Sequence, residues 1–255
     1  MAKAPQSPQP PVSTLRALSA SSRILKRWAS PVYVLGRQLA EALIVTLRYY
    51  GPLDFYKVDL RFRRSYLTDG PHRVAKRFQL QTGLDPSWGE AGPRHSLHYG
   101  ATPLSSLEQI AWRTRLTADD RVVDLGCGTG LGCFFLARLL RANVHGVELN
   151  PEFVRRAQAI RAELGWSNPS FSCGDLMDHP LDAATVVFVY STGFTDAQLA
   201  RLVDKMGREL SEGALVISVS SPLSAHSTQP LFTDIDHFPV NFPWGQGTVF
   251  VQART

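Results

Sequence analysis

Residues 122–130 read VVDLGCGTG, a short apolar run that leads directly into a glycine-rich turn. The β-branched residues before the turn are typical of a buried strand, and the apolar periodicity of residues 130–141 after it indicates a helix. Glycine lets a backbone approach a ligand closely and adopt torsions that a side chain forbids. The stretch therefore predicts a strand–turn–helix unit with a ligand at the turn.

The same alternation of short β-branched runs and helical segments continues to the end of the chain. Strands are predicted at 121–125, 144–148, 169–173, 185–190 and 214–219, and further helices near 151–164 and 195–210. The last runs, 237–241 and 247–252, flank a Pro/Gly-rich turn and predict an antiparallel closing hairpin. The predicted fold is α/β: a Rossmann-like, mostly parallel seven-stranded sheet with an antiparallel closing hairpin, preceded by a helical N-terminal region.

The chain before this unit divides into two further regions. Residues 1–12 are rich in Pro, Gln and Ser and predict a disordered tail, since they cannot bury a core. Residues 13–101 predict a helical N-terminal region that ends in a Gly/Pro-rich substrate or lid loop. Residues 102–255 form the Rossmann-like domain, which Thr102 and Pro103 open as the N-cap and first residue of a helix.

Charge is distributed unevenly along the chain. Residues 1–78 carry a net charge of +10, whereas residues 79–255 carry −5. Such asymmetry predicts that the first third binds an acidic partner, which could be a membrane surface, nucleic acid, an acidic protein or the acidic part of this chain. The alternative is a solvated basic face. The apolar segment 32–49 carries a polar stripe (Arg37, Glu41 and Arg48) and is too short to span a bilayer comfortably. It is predicted to pack on the rest of the chain or to lie on a membrane surface.

Composition excludes several classes of protein. An apolar share of 44% excludes wholesale disorder and collagen-like repeats. Three cysteines cannot form a complete disulfide framework, and no secretory signal pattern opens the chain. These features predict a cytoplasmic protein, with the membrane-peripheral alternative left open.

Carboxylates lie at or just after the ends of the first three predicted strands. Asp124 precedes the turn, Glu148 ends the second strand, and Asp175 follows the third. Ligands of open α/β sheets bind outside the carboxyl ends of the strands, where all three acids are expected. Dinucleotide sites have G-x-G-x-x-G, but the glycines here are spaced G-x-G-x-G, and Asp124 would repel a pyrophosphate. A cationic adenosyl ligand, S-adenosylmethionine, fits this pattern better.

Segment 121–219 resembles the class I S-adenosylmethionine-dependent methyltransferases. That resemblance implies a set of cofactor-binding residues, no metal, and acceptor-side catalytic positions. The cofactor-binding residues are Thr102, Asp124, Gly126, Gly128, Gly130, Glu148, Asp175 and Leu176, and the catalytic positions are Tyr99, Tyr190 and Ser191.

Three further segments narrow the resemblance. YGAT at 99–102, VFVYSTGF at 187–194 and FPWG at 242–245 are similar to motifs of the non-SET histone lysine methyltransferases, and the mitochondrial c-subunit lysine methyltransferases share the layout. Tyr190 and Ser191 stand where the histone enzymes have two asparagines. In the layout of these families, Thr102 approaches the methionine moiety of the cofactor, and Tyr99 and Tyr190 wall the acceptor channel.

The sequence thus predicts methyl transfer to a protein amine of the lysine type. One alternative is a small-molecule or lipid acceptor at a membrane surface, contacted through residues 13–50. Another is a catalytically silent module that binds nucleic acid through the basic N-terminal third, but the chain has no aromatic-interleaved RNA motif. His95 and His98 in the lid loop are candidates for a base, whereas the sequence gives no indication of the oligomeric state.

Overall fold

A computed structural model describes residues 35–36, 39–82, 101–191, 194–227, 229–242 and 245–255. Several predictions lie outside these residues: the tail 1–12, the basic segment up to 34, nearly all of the loop 82–101 with Tyr99, His95 and His98, and Pro243–Trp244 of the hairpin turn. A search of the described helices found none that is both long and apolar enough to cross a bilayer.

Helices and strands follow one another in the predicted order. The N-terminal helix α1 covers residues 39–50, and its second half, Val45–Tyr50, is a π-helical turn. The remaining helices are α2 (Phe55–Ser65), α3 (Pro71–Thr82), α4 (Leu104–Arg113), α5 (Leu131–Leu140), α6 (Pro151–Leu164) and α7 (Asp196–Glu209), with a 3₁₀ turn at Leu223–His226. The strands are β1 (Arg121–Leu125), β2 (Asn143–Glu148), β3 (Ser170–Cys173), β4 (Val186–Tyr190), β5 (Leu215–Val219), β6 (Phe232–Phe242) and β7 (Gly245–Arg254).

The strands form one seven-stranded sheet in the order β3-β2-β1-β4-β5-β7-β6. The first five strands are mutually parallel, while β7 is antiparallel to both β5 and β6. The sheet therefore confirms the predicted Rossmann-like class, including the closing hairpin. The hairpin is longer than predicted, because β6 begins at 232 and a register shift between Asp234 and Asp236 accommodates its polar start.

The two-residue period of the strands divides the core between two faces of the sheet. Val122 on β1 is in register with Val144 on β2, and both belong to the face covered by α4, α5 and α6. Their neighbours in sequence point to the opposite face, where Val123 packs with Leu202 and Met206 of α7. Burial on both faces explains why the strands are nearly continuous apolar runs.

The N-terminal helices join the first of these cores through aromatic contacts. Tyr49 packs edge-to-face on Phe135 of α5, with ring centroids 4.8 Å apart. Phe62 of α2 makes the same type of contact with Phe134 at 5.6 Å. These rings are almost fully buried, so residues 49–62 are part of the same hydrophobic core as the sheet.

Glu41 and Arg48, the two described residues of the polar stripe, contact α4. The Glu41 carboxylate accepts hydrogen bonds from the backbone N–H of Ser105, at 3.1 Å, and from its hydroxyl. Arg48 pairs with Glu108 at 2.7 Å. The predicted cap of α4 at Thr102 was therefore wrong: the N-cap residue is Pro103, which makes no side-chain cap hydrogen bond, and the Glu41 carboxylate satisfies a free N–H of the first turn instead.

Candidate active site

The predicted carboxylates lie at the ends of three neighbouring strands. Strands β3, β2 and β1 are adjacent, and Glu148 at the end of β2 is in register with Cys173 at the end of β3. Asp124 is the fourth residue of β1, and Asp175 follows β3 by two residues. The sheet thus brings Asp124, Glu148 and Asp175 to one edge, as the parallel order requires.

The glycine-rich turn is tied to the end of β2 through its backbone. The N–H groups of Gly126 and Cys127 both donate to the carbonyl of Val147, at 2.8 and 3.0 Å. Gly130 has a φ of +79°, and an added Cβ would lie 2.5 Å from the Phe171 ring, so only glycine fits there. At Gly126, by contrast, a Cβ would meet no atom within 4 Å, so this side of the turn is open.

Glu148 holds the turn and the start of α6 at the same time. One carboxylate oxygen accepts from the Gly128 N–H at 2.9 Å, and the other accepts from the Asn150 N–H at 2.8 Å. Each oxygen keeps a second lone pair for a ligand hydroxyl. Burial raises the pKa of Glu148 above its usual value, although these backbone hydrogen bonds act in the opposite direction.

Asp124 is a buried carboxylate with little local compensation. Among the described residues, the hydrogen bond that it receives comes from the Cys133 thiol at 3.4 Å. Burial raises the pKa of Asp124 to about 7; the Cys133 hydrogen bond opposes this shift, while the nearby Glu148 carboxylate adds to it. A cationic ligand in the crevice would reverse part of the shift, since it favours the ionised carboxylate.

Asp175 and Leu176 occupy the turn after β3. Asp175 is exposed, and its Oδ1 accepts from the Met177 N–H at 2.9 Å, which stabilises the turn itself. Leu176 is half-buried and packs on the core that α7 covers. Asp175 therefore stabilises its own turn through Oδ1. Among the described residues, no donor is hydrogen-bonded to its second oxygen, Oδ2.

These residues fit S-adenosylmethionine on chemical grounds. Asp124 and Glu148 place two dehydrated carboxylates beside an open, glycine-lined turn, which favours a positively charged ligand over a phosphorylated one. Glu148 would accept the ribose hydroxyls, and Asp175 the adenine amine. Thr102 is half-buried just before α4.

Tyr190 and Ser191 stand where β4 leaves the sheet. The Tyr190 ring is half-buried and packs edge-to-face on Phe242 at 5.7 Å, so it is anchored by packing. Ser191 is buried: its hydroxyl donates to the Val219 carbonyl at 2.5 Å and accepts from the Ser221 N–H at 3.1 Å. Because both functions of this hydroxyl are in use, the described contacts of Ser191 are structural. Tyr99 lies outside the described residues.

A polar series that the sequence analysis missed lies beside Ser191. Ser221 is hydrogen-bonded through its hydroxyl to His226 Nε2 at 3.0 Å, and His226 Nδ1 lies 3.6 Å from the Asp196 carboxylate. Ser220 precedes Ser221 in the chain, and its positive φ of 86° turns the backbone sharply after β5. The residues come from two segments thirty positions apart, so no local motif marked them; the serines after a strand were the available signal.

Comparisons with known proteins agree with this geometry. Residues 124–229 match the family model of the ANTKMT methyltransferase domain, a non-SET protein lysine methyltransferase family. A probable tocopherol O-methyltransferase of rice is 32% identical over 102 residues, which are 39% of this chain and 28% of that enzyme. The chain thus spans less than a third of the length of this relative.

Two solved structures share the fold. TrmN from Thermus thermophilus superposes with a TM-score of 0.54 at 16% identity, covering 62% of this chain and 50% of that one. Magnesium protoporphyrin IX methyltransferase from Synechocystis, with bound S-adenosylmethionine, has a TM-score of 0.50 at 15% identity and covers 72% and 97%. With the glycine-rich turn and its carboxylates, the family match shows that residues 124–229 form a methyltransferase domain, and the solved structures share its Rossmann-like fold.

Proposed function

We propose that this enzyme transfers a methyl group from S-adenosylmethionine to a lysine side chain of a protein. The observation that carries the proposal is the match of residues 124–229 to a family of protein lysine methyltransferases. That region contains Asp124, Glu148 and Asp175 together with Tyr190 and Ser191, and therefore both the cofactor side and the acceptor side of the crevice.

The cofactor, when bound, supplies a methyl group already activated by its sulfonium. In our proposal the protein therefore contributes alignment and exclusion of water more than covalent chemistry. Asp124, Glu148 and Asp175 hold the amino, ribose and adenine groups, and the turn at 126–130 lets the backbone approach them closely. Thr102 and Leu176 complete the predicted set of cofactor contacts.

A lysine acceptor must lose a proton before it can attack a methyl group. A channel walled by Tyr190 and, in the layout that the resemblance implies, by Tyr99 would lower the pKa of the entering amine by desolvation. The Ser221–His226 pair adds a group that can take up the released proton. Ser191 holds this pair against β4 through its hydrogen bond with the Ser221 N–H. We therefore assign Ser191 a positioning role.

The compartment is part of the proposal. Cys127, Cys133 and Cys173 are all free thiols, which suits a reducing environment such as the cytoplasm. Cys133 is fully buried, and burial together with the neighbouring Cys127 raises the pKa of its thiol well above the usual value, so it is protected from oxidation.

The test is methyl transfer from radiolabelled S-adenosylmethionine into a cell extract, followed by fractionation into protein, lipid, RNA and small molecules. We expect label in the protein fraction, and methylated lysine after complete hydrolysis. An extract whose lysines have been blocked by acetylation, which converts each amine into a non-nucleophilic amide, is the matched control and should take up no label. The Asp124→Asn variant controls for enzyme-independent transfer.

Label confined to lipid or small molecules would contradict the proposal and favour a second candidate, methylation of a small molecule. That candidate is supported by the similarity of this chain to the rice relative, a probable tocopherol O-methyltransferase. Label in RNA, or no label in any fraction, would contradict both candidates.

A further inference from the structure

The N-terminal helix turns its apolar side away from the protein. Leu35, Leu39, Leu43 and Leu47 recur every four residues and are between 56% and 69% exposed. The exposed residues described between them, Gly36, Ala40, Ala42 and Thr46, are uncharged, and the Thr46 hydroxyl donates to the Ala42 carbonyl at 2.9 Å. We call this set of four leucines the leucine face.

The two charged residues described on the same helix, Glu41 and Arg48, contact α4. Glu41 accepts from the N–H of Ser105 at the start of α4, and Arg48 pairs with Glu108 one turn later. These contacts fix the rotation of α1 about its axis. A helix on a protein in water usually has the reverse arrangement, with leucines inside and charges outside. The leucine face is therefore held outward by specific polar contacts.

Cationic and aromatic side chains line a groove between α1 and α4. Ile44 and Arg48, which follow Leu43 and Leu47 in the chain, form one wall of this open groove, and Trp112 and Arg113 of α4 form another. Trp112 is 59% exposed; the Arg48 and Arg113 side chains stay 60% and 48% exposed although they pair with Glu108 and Asp236. Tryptophan and arginine beside an apolar face are typical of the level at which lipid headgroups meet acyl chains.

We propose that the leucine face docks on an anionic phospholipid bilayer, with α1 lying flat in the headgroup layer. Helix α1, residues 39–50, is about 18 Å long, which is shorter than the hydrocarbon core of a bilayer. An uninterrupted leucine stripe beside basic groups is characteristic of helices that bind in the membrane plane.

Charge complementarity selects the bilayer over other occupants. The first 78 residues carry a net charge of +10, whereas the remainder carries −5, so the long-range field attracts this end of the molecule to an anionic surface. A second copy of the chain would bring the same basic third against itself. Repulsion between the two copies disfavours that arrangement.

Docking through α1 would place the active site close to the membrane. Glu41 holds the first turn of α4, and Thr102 of the predicted cofactor site lies just before that turn. The crevice at the ends of β1 and β4 would then take its acceptor from the membrane or from its immediate surroundings. The docking proposal itself does not depend on which acceptor is methylated.

The experiment is co-sedimentation of the full-length protein with vesicles made of equal parts phosphatidylcholine and phosphatidylglycerol. We expect the wild-type protein to pellet with these vesicles and the L43E/L47E variant to bind at least about tenfold more weakly. Vesicles of phosphatidylcholine alone should bind the wild-type protein more weakly than the anionic ones, and added salt should reduce the difference between the two.

A matched control replaces two leucines outside the leucine face that are more exposed than Leu43 and Leu47. Leu67 and Leu80 are 79% and 76% exposed, so L67E/L80E introduces the same charge elsewhere on the surface and should bind like the wild type. A milder variant, L43A/L47A, keeps helix propensity and should show an intermediate loss. Thermal denaturation and titration with S-adenosylmethionine show whether each variant is folded.

Wild-type protein that stays in the supernatant would overturn the proposal, as would L43E/L47E binding that equals wild-type binding. A dimer in the absence of vesicles that L43E/L47E abolishes would assign the leucine face to a second copy instead. Equal binding to neutral and anionic vesicles would overturn the selection of an anionic surface. A protein that binds vesicles but not S-adenosylmethionine would refute the proposed enzymatic function alone.

Discussion

The two halves of the sheet edge hold their polar groups by different means. On the β1–β3 side, backbone N–H groups and glycines surround the Asp124 and Glu148 carboxylates, whose pKa values burial raises. On the β4–β5 side, Ser191, Ser221 and His226 hydrogen-bond to one another and to the backbone. In the first half, the described residues do not neutralise the buried carboxylates, which await a cationic ligand. In the second half, the serines and the histidine already have hydrogen-bond partners.

This difference indicates a division of labour between the halves. A crevice with uncompensated buried carboxylates is destabilising by itself, and it becomes favourable when a cation binds. A satisfied hydrogen-bond network instead fixes geometry. We therefore expect changes on the β1–β3 side to act on cofactor affinity, and changes on the β4–β5 side to act on turnover or stability.

The largest effect is expected for Gly130→Ala. A methyl group there meets the Phe171 ring at 2.5 Å and forces an alanine into a φ of +79°. Strain and overpacking together should lower the free energy of unfolding by about 2–5 kcal/mol and abolish methyl transfer. Urea denaturation and a methyl-transfer assay measure the two effects.

Gly213→Ala provides the comparison for this variant. Gly213 has a similar φ of +82°, but a Cβ there meets no atom within 4 Å. It should therefore show the backbone strain alone and retain cofactor binding. Equal losses of activity in the two variants would show that the close approach to Phe171 is irrelevant.

Asp124→Asn should weaken cofactor binding by about 10- to 150-fold, since a hydrogen bond to a charged group contributes about 1.5–3 kcal/mol. The same change should stabilise the free protein at alkaline pH. Because the pKa of Asp124 is about 7 in the folded state and about 3.9 when unfolded, folding opposes its ionisation. This penalty is absent near pH 3, grows as the pH rises to 7, and is constant above that.

The stability advantage of Asp124→Asn over the wild type should accordingly increase from pH 4 to pH 8, by up to about 4 kcal/mol.

Glu152→Gln should show the opposite trend, because Arg155 and Arg156 lower the pKa of Glu152 to about 2. Here the wild type gains stability over the variant as the pH rises through the acid range. Urea denaturation measures both series, from pH 4 to pH 8 for Asp124→Asn and from about pH 2 to pH 6 for Glu152→Gln. If the difference in unfolding free energy between Asp124→Asn and the wild type did not vary with pH, burial could not be raising the pKa of Asp124 in the cofactor-free protein.

His226→Gln should reduce kcat by about tenfold to a hundredfold while leaving the dissociation constant of the cofactor unchanged. Glutamine keeps a hydrogen bond to Ser221 but cannot take up a proton. Asp196→Asn should have a smaller effect because that contact is longer, at 3.6 Å. A kcat that equals the wild-type value across the pH range would show that the amine is deprotonated without His226.

Ser191→Ala should have a smaller effect, and mainly on stability. It removes the hydroxyl that bonds to the Val219 carbonyl and leaves the Ser221 N–H without its acceptor. The expected loss is about 1–3 kcal/mol in the free energy of unfolding, with a severalfold lower kcat. Thermal and urea denaturation, together with initial rates, separate these effects. A stable variant with no activity would instead favour direct participation of Ser191 in the reaction.

Tyr190→Phe should have the smallest effect. The ring would keep its edge-to-face contact with Phe242, and only the hydroxyl would be lost. We expect a change in kcat/KM of less than about tenfold and an unchanged melting temperature, since the packing contribution is retained. A complete loss of activity would mean that the hydroxyl, rather than the ring, handles the acceptor.

The cofactor half of the site could be predicted from sequence because its chemistry is local. Asp124 and the glycines of 126–130 are contiguous, and the ends of parallel strands at Glu148 and Asp175 meet at one edge for any right-handed β-α-β chain. The positions of the strands followed from their apolar runs. The start of β6 did not, because Asp234 and Asp236 interrupt the apolar pattern of an edge strand.

Other features depend on contacts that no local pattern records. The Ser221–His226 pair meets Asp196 across the end of the sheet, and the Glu41 contact to Ser105 joins residues 64 positions apart. The outward rotation of α1 follows from that contact. Amphipathic spacing predicted a helix with two faces but could not assign which one meets the protein.

The most direct test of the division between the two halves is calorimetric titration of S-adenosylmethionine into Glu148→Gln and His226→Gln at pH 8. Our account predicts one binding site per chain in the wild type, an unchanged dissociation constant for His226→Gln, and at least about tenfold weaker binding for Glu148→Gln. Wild-type affinity in Glu148→Gln, or a comparable loss in His226→Gln, would contradict it.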